Sequence, residues 1–142
     1  MKKQTPPCWE HFSHMADIGV RGYGNTLEEA FVEGAKALTS VVVDINILKT
    51  KQTVTTTCNA PSPELLFVDW LNAIIYEMDV RSMLFKAFQV SIENNTLKGI
   101  LQGEIVIPAH HHPIVDIKGA TYTALKVCEK NGVWLAQCVI DV

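Results

Sequence analysis

The chain has 142 residues, 48% apolar and 19% charged, with 12 basic and 15 acidic side chains and a net charge of −3. Those values describe one globular domain, burying roughly 70% of its unfolded surface, and exclude a disordered chain. Lys and Arg are scattered, with only Lys2-Lys3 adjacent and Lys49 and Lys51 close, which argues against the basic, aromatic-interleaved stripe that grips RNA phosphates.

Residues 1–8 read as a flexible lead-in, because Pro6 and Pro7 oppose regular structure, and residues 9–142 read as a single domain. The opening MKKQTPPCWE lacks the apolar core of a signal peptide. A strand is expected over 9–13. A second is expected over 18–23, where Ile18, Val20 and Gly22 alternate with Gly19, Arg21 and Tyr23. Gly22 and Gly24 imply close packing or a bend. Thr26 and Glu29 have capping-box spacing and open the first helix. Its stripe of Leu27, Ala30, Phe31, Gly34, Leu38, Val41 and Val42 is apolar at helical spacing, and it should end near 43–44.

The threonine-rich, β-branched run 52–59 suits a strand. Ser62 as N-cap and Pro63 at the first helical position open a second helix. From 65 to 78 it is apolar nearly all round, with Asp69 and Asn72 as a narrow polar edge. Such a helix should be mostly buried, and it is too short to span a bilayer. Strands follow over 84–93 and 97–107, joined by an Asn94-Asn95 turn. A loop at 108–113 carries His110, His111 and His112, expected to face solvent. A final hairpin, 121–129 with 133–142, turns at Asn131-Gly132, which would set Cys128 opposite Leu135 and Cys138 opposite Leu125. None of Cys8, Cys58, Cys128 and Cys138 forms a C-x-x-C pair, so reduced, buried thiols in a cytoplasmic protein are expected. The order of elements predicts an α+β fold, a single domain with two α-helices on a mostly antiparallel β-sheet.

Motifs with a defined catalytic mechanism are missing: no phosphate-binding G-x-x-x-x-G-K-[ST], no H-E-x-x-H, no G-x-S-x-G. His11, His14 and Asp17 are residue types that bind transition metals and would be the ligands of a metal-dependent hydrolase. In a strand, however, residues three apart take opposite faces. Asp17 lies between short apolar segments, and Asp141 ends the apolar run Val139-Ile140-Asp141-Val142. Carboxylates there are costly unless solvated, paired or bound to a cation. If Val142 is the natural terminus, its α-carboxylate adds a second acid beside Asp141, an oxygen set suited to Ca²⁺ or Mg²⁺. A solvated strand end is the plainer reading, and spacing alone leaves both open. Lys118, ahead of the last hairpin, reads as a surface lysine, and Asp69 as a structural helix-edge residue.

Five segments, taken together and in order, resemble the archease family. They are His14-Met15-Ala16-Asp17-Ile18-Gly19-Val20-Arg21, Thr26-Leu27-Glu28-Glu29-Ala30-Phe31, Leu65-Leu66-Phe67-Val68-Asp69-Trp70-Leu71-Asn72, Ile117-Lys118-Gly119-Ala120-Thr121-Tyr122 and Val139-Ile140-Asp141-Val142. Met15, Gly119 and Thr123 depart from the usual family residues. The resemblance implies a non-catalytic accessory protein of an RtcB-type RNA ligase, promoting that enzyme's GTP-dependent guanylylation and multiple turnover in tRNA splicing or RNA repair. RNA would be met only through the ligase. The resemblance also implies a divalent cation, calcium in the family, on Asp17, Asp141 and Val142. Lys118 is a candidate contact to ligase or phosphate, and His14 and Asp69 are secondary candidates. A metal-independent, chaperone-like interaction module is the remaining alternative.

Overall fold

The computed structural model describes residues 5–142; Lys2 and Lys3 of the expected lead-in lie outside them. Strand β1 (Cys8–His14) turns at once into β2 (Asp17–Gly24). Helix α1 (Leu27–Val42) follows, then a short 3-10 turn (Ile45–Ile47), β3 (Gln52–Asn59) and helix α2 (Pro63–Arg81). The hairpin β4 (Met83–Glu93) and β5 (Thr96–Ile105) leads to a single helical turn, α3 (Pro108–His111). The chain closes with β6 (Gly119–Ala120), β7 (Lys126–Lys130) and β8 (Val133–Asp141).

Every strand pairing is antiparallel, in two separate sheets. In the first the order is β1-β2-β8-β6, with β7 also on β8; in the second it is β3-β5-β4. Helix α1 packs on β2 and β8 of the first sheet and on β4 of the second, so its apolar stripe ties the sheets together. The approach is close: a Cβ on Gly22 would collide with Ala30 O and Gly34 N of α1. The core between the layers holds Phe31, Leu38, Phe67, Trp70 and Phe85, all fully buried. Its polar atoms are served, since Trp70 Nε1 donates to Phe31 O at 3.0 Å and Thr39 Oγ1 to Phe85 O at 2.8 Å. This is an α+β fold, as the order of elements predicts.

The local signals act as expected. Thr26 Oγ1 accepts from Glu29 N at 3.1 Å, and Ser62 Oγ accepts from Leu65 N at 3.2 Å. Glu29 reaches one residue further back than a standard capping box, accepting from Asn25 N at 2.9 Å. Asn131 and Gly132 both have positive φ, 54° and 79°, the two-residue turn of a twisted hairpin, and Cys128 pairs with Leu135 as predicted.

Four expectations need correction. The last hairpin is shorter than 121–129: residues 121–125 form a turn in which Thr121 Oγ1 and the Thr121 N–H both donate to Val139 O. The β7–β8 register is the expected one but ends at Lys126–Gln137, one step short of Leu125 and Cys138; on the other edge of β8, Cys138 pairs with Val20 of β2. Strand β5 stops at Ile105, two residues early. Pro108, which has no N–H to give, starts a helical turn where a loop is expected. That turn separates the three histidines: His110 and His112 are exposed, but His111 is buried, its Nδ1 accepting from Ile107 N at 2.8 Å. Finally, α2 runs to Arg81 and is not buried all round: Tyr76 is 63% and Val80 56% exposed.

Among the described residues no helix is long and apolar enough to cross a membrane. The four cysteines are free thiols. Burial pushes Cys138 up to about 12 and Cys58 up to about 11, the latter helped by the charge of Asp69. Neither is a thiolate at neutral pH, which removes both as nucleophiles.

Candidate functional site

The sequence candidates converge at one corner of the first sheet, where β2 begins and β8 ends. Ile18 pairs with Ile140, and one further step of that register sets Asp17 opposite Asp141. Directly opposed antiparallel residues have Cα atoms about 5 Å apart, so two carboxylates there can close on one ion. Ile18 and Ile140 pack into the core. Strand alternation turns the residues next to them, Asp17 and Asp141, to the outer face of the sheet. The sequence candidates Asp17, Asp141 and Val142 are thus neighbours, and all three are half-buried.

The backbone at this corner is held firmly. On the far edge of β8, Gly119 pairs with Asp141, and the Lys118 N–H donates to Asp141 O at 2.8 Å. Strand β6 is in turn clamped by Asn72 of α2. The Ala120 N–H donates to Asn72 Oδ1 at 2.8 Å, and Asn72 Nδ2 donates to Ala120 O at 3.3 Å. Asn72 is the residue sequence reasoning undervalued, as part of a polar edge. Its signal was a lone amide inside an otherwise apolar helical run.

The side chains at the corner are left open. Among the described residues neither Asp17 nor Asp141 has an ion pair or a side-chain hydrogen bond. Arg21, on the same face of β2, is occupied elsewhere: by Glu10 at 2.6 Å, by Gln137 at 2.7 Å and by the Phe12 ring at 4.5 Å. Lys118 is exposed. His14 pairs with Asp17 across the β1–β2 turn and flanks the corner. Among the described residues, no three His, Cys, Asp or Glu side chains come together as a metal-holding group. A cation here would have two carboxylates and main-chain oxygens such as Val142 O, a donor set that fits a hard ion of loose geometry and not a transition metal.

Two other candidates lie apart. His11 is on the opposite face of β1 from His14, with its Nε2 bonded to Ala37 O of α1 at 2.8 Å. The trio His11, His14 and Asp17 is therefore not assembled, and the hydrolase reading loses its ligands. Asp69 is exposed on α2, and its charge is felt at Cys58.

Comparison with known proteins gives a consistent result. Residues 9–142 match the Archease protein family (MTH1598/TM1083). "Protein archease" of Pyrococcus furiosus is 37% identical over 139 residues, covering 94% of this chain and 98% of that protein. The protein of the same name from Methanopyrus kandleri is 30% identical, covering 94% and 99%. Among solved structures, the solution structure of Methanobacterium thermoautotrophicum protein 1598 is similar with TM-score 0.84 and 25% identity, covering 94% of this chain and 98% of that one. A crystal structure from Thermotoga maritima, described as an archease and possible chaperone, shares the fold with TM-score 0.56 and 20% identity, covering 100% and 99%.

Proposed function

The chain belongs to the archease family, and we propose that it is a non-catalytic activator of an RtcB-type RNA ligase, acting through the Asp17–Asp141 corner. One observation carries the reading: two half-buried carboxylates stand at the adjacent ends of β2 and β8, one step beyond the Ile18–Ile140 pair, and among the described residues neither has an ion pair or a side-chain hydrogen bond. Leaving like charges side by side costs stability unless something external offsets them. A divalent cation, calcium by the family resemblance, is the ligand those oxygens suit, with Asp17 and Asp141 as carboxylate donors and Val142 as main-chain donor. When bound, it would place positive charge against the phosphates of the ligase's nucleotide.

The rest of the corner positions these groups. The Lys118 N–H fixes the Asp141 carbonyl, and Asn72 fixes the strand carrying Gly119 and Ala120. Lys118 itself, exposed and without an ion pair among the described residues, is free to meet the ligase or a phosphate. A net charge of −3 suits a protein that touches the ligase and reaches RNA only through it. The cytoplasm, where reduced thiols persist, is the compartment this reading needs.

The test is multiple-turnover ligation by the matching ligase, with and without this protein, using D17N and D141N. Each variant should lose at least about tenfold of the stimulation while keeping a native circular dichroism spectrum. Full stimulation by both variants overturns the role of the corner. It would favour the metal-independent interaction module instead.

A further inference from the structure

Of the eight large apolar side chains exposed among the described residues, five lie in two segments, the others being Met15, Ile47 and Tyr122. Two large ones stand on the last turns of α2, Tyr76 at 63% and Val80 at 56% exposure, and three on the segment facing it, Ile105 at 50%, Ile107 at 53% and Ile114 at 76%. Beside them runs a cleft of about 620 Å³, floored by Val42, Met83 and Leu84 and walled by Met78 and Ile114; Val80, Ile105 and Ile107 stand outside its lining. It continues into a second hollow of about 350 Å³ that ends at Lys118. Both hollows are lined by Asp79 from α2 and Asp116 from the strap 113–118. Neither carboxylate has an ion pair among the described residues. The strap is tied at both ends, by Ile114 N to Val42 O and by Lys118 N to Asp141 O, each at 2.8 Å, so the groove exists before anything enters it.

We propose that this groove is a docking site for a basic amphipathic helix of a partner protein. The charge of the walls selects the occupant. Apolar side chains of the helix fill the cleft, while a Lys or Arg between them meets Asp79 and Asp116. Lys118 at the far end repels a basic residue there and so orients the helix. Helix recognition of this kind needs apolar anchors on one face and flanking charge, and both are on the groove. A small apolar molecule would fill the cleft but leave Val80, Ile105 and Ile107, which are outside its lining, still in water. A second copy of this chain would bring two sets of Asp79 and Asp116 together. The groove shares Lys118 with the corner but none of the Asp17, Asp141 and Val142 side chains, so D17N and D141N test the corner and D79K/D116K tests the groove.

The experiment is a heteronuclear NMR titration of the isotope-labelled full chain with two synthetic helical peptides, each about five turns long. One carries Leu on one face and Lys on its flanks; the other has Glu in place of every Lys. The Lys peptide should shift amides of 76–82 and 105–118 saturably, and the Glu peptide should not bind. D79K/D116K should weaken the Lys peptide at least about tenfold and gain affinity for the Glu peptide. V80D should weaken the Lys peptide with no change of sign preference. All of these residues but Val80 carry exposed charges, and Val80 is itself exposed, so native folding is expected and is read from the dispersion of the same spectra. If the double variant does not fold, D116K alone carries the charge test. Equal binding of both peptides, shifts confined to other surfaces, full binding by V80D, or self-association in sedimentation equilibrium that V80D abolishes would each overturn the proposal.

Discussion

Two acidic regions of this molecule treat the same functional group in opposite ways. Glu104, on β5, is buried: it accepts a hydrogen bond from the Lys49 N–H at 2.7 Å, and His111 Nε2 and Lys51 Nζ stand 3.3 Å and 3.7 Å from its oxygens. The Lys49 hydrogen bond, with help from His111 and Lys51, holds its carboxyl below the usual range despite the opposing effect of burial. Asp17 and Asp141, at the end of the other sheet, receive nothing comparable from the described residues. Where a carboxylate serves structure, the fold surrounds it with donors. Where the described residues leave two carboxylates at adjacent strand ends without a donor, an external partner is the reading to test.

Removing the served carboxylate should have the larger effect on stability. E104Q leaves the Lys51 charge without its counterion and turns one good acceptor into a poorer one, so its melting temperature should fall clearly below that of D17N or D141N. The pH dependence follows with a definite sign. A carboxyl whose folded pKa is depressed stabilises the protein above its unfolded value and loses that stabilisation as pH falls through the folded value. Wild type should therefore lose stability as the medium is acidified below the ordinary carboxylate range near 4.5, and E104Q should lose less over that window. Identical acid melting profiles would break the contrast between the two regions.

The unserved pair should respond to cation in the other direction. Calcium at a hundredfold over its Kd should raise wild-type stability by about 2.7 kcal/mol, read as a shift in thermal melting. D17N and D141N should give no shift, and without calcium should lie within about 0.5 kcal/mol of wild type. An equal calcium shift in all three proteins would sever the corner from the ion. An effect smaller than the calcium shift is expected at Asn72, which touches neither carboxylate. N72A removes two hydrogen bonds to Ala120 and should cost about 1–2 kcal/mol, measured by denaturant unfolding. It should also lower the calcium affinity, because the β6 edge that holds Asp141 is loosened.

Much of the fold was legible in local chemistry. The Thr26 and Ser62 caps, the α1 stripe, the Thr-rich β3 and the Asn131-Gly132 turn each depend on a few neighbouring residues, and each stands where the sequence puts it. The misread segments depend on distant ones. Residues 121–125 look like strand, yet the free edge of β8 is taken by β6, and Thr121 bonds back to Val139 instead. His111 looks like the middle of an exposed histidine loop, yet a helical turn starting at Pro108 folds it under, toward Glu104. The apolar face of α2 carrying Tyr76 and Val80 looks like core, and no layer of the domain covers it.

The candidate site divides along the same line. By itself the sequence determined which acids were out of place, Asp17 among apolar neighbours and Asp141 at the end of an apolar strand, because the cost of a charge beside apolar groups is a local property. Family membership was likewise legible in ordered segments of the chain. Only the tertiary structure brings the two acids to the same end of the first sheet. They are far apart in sequence, and what joins them is the antiparallel register of β2 on β8, a long-range pairing set by the burial of Ile18, Val20, Cys138 and Ile140 against α1. Alternation along β1 sends His11 to the other face, and helix α2 carries Asp69 on another surface.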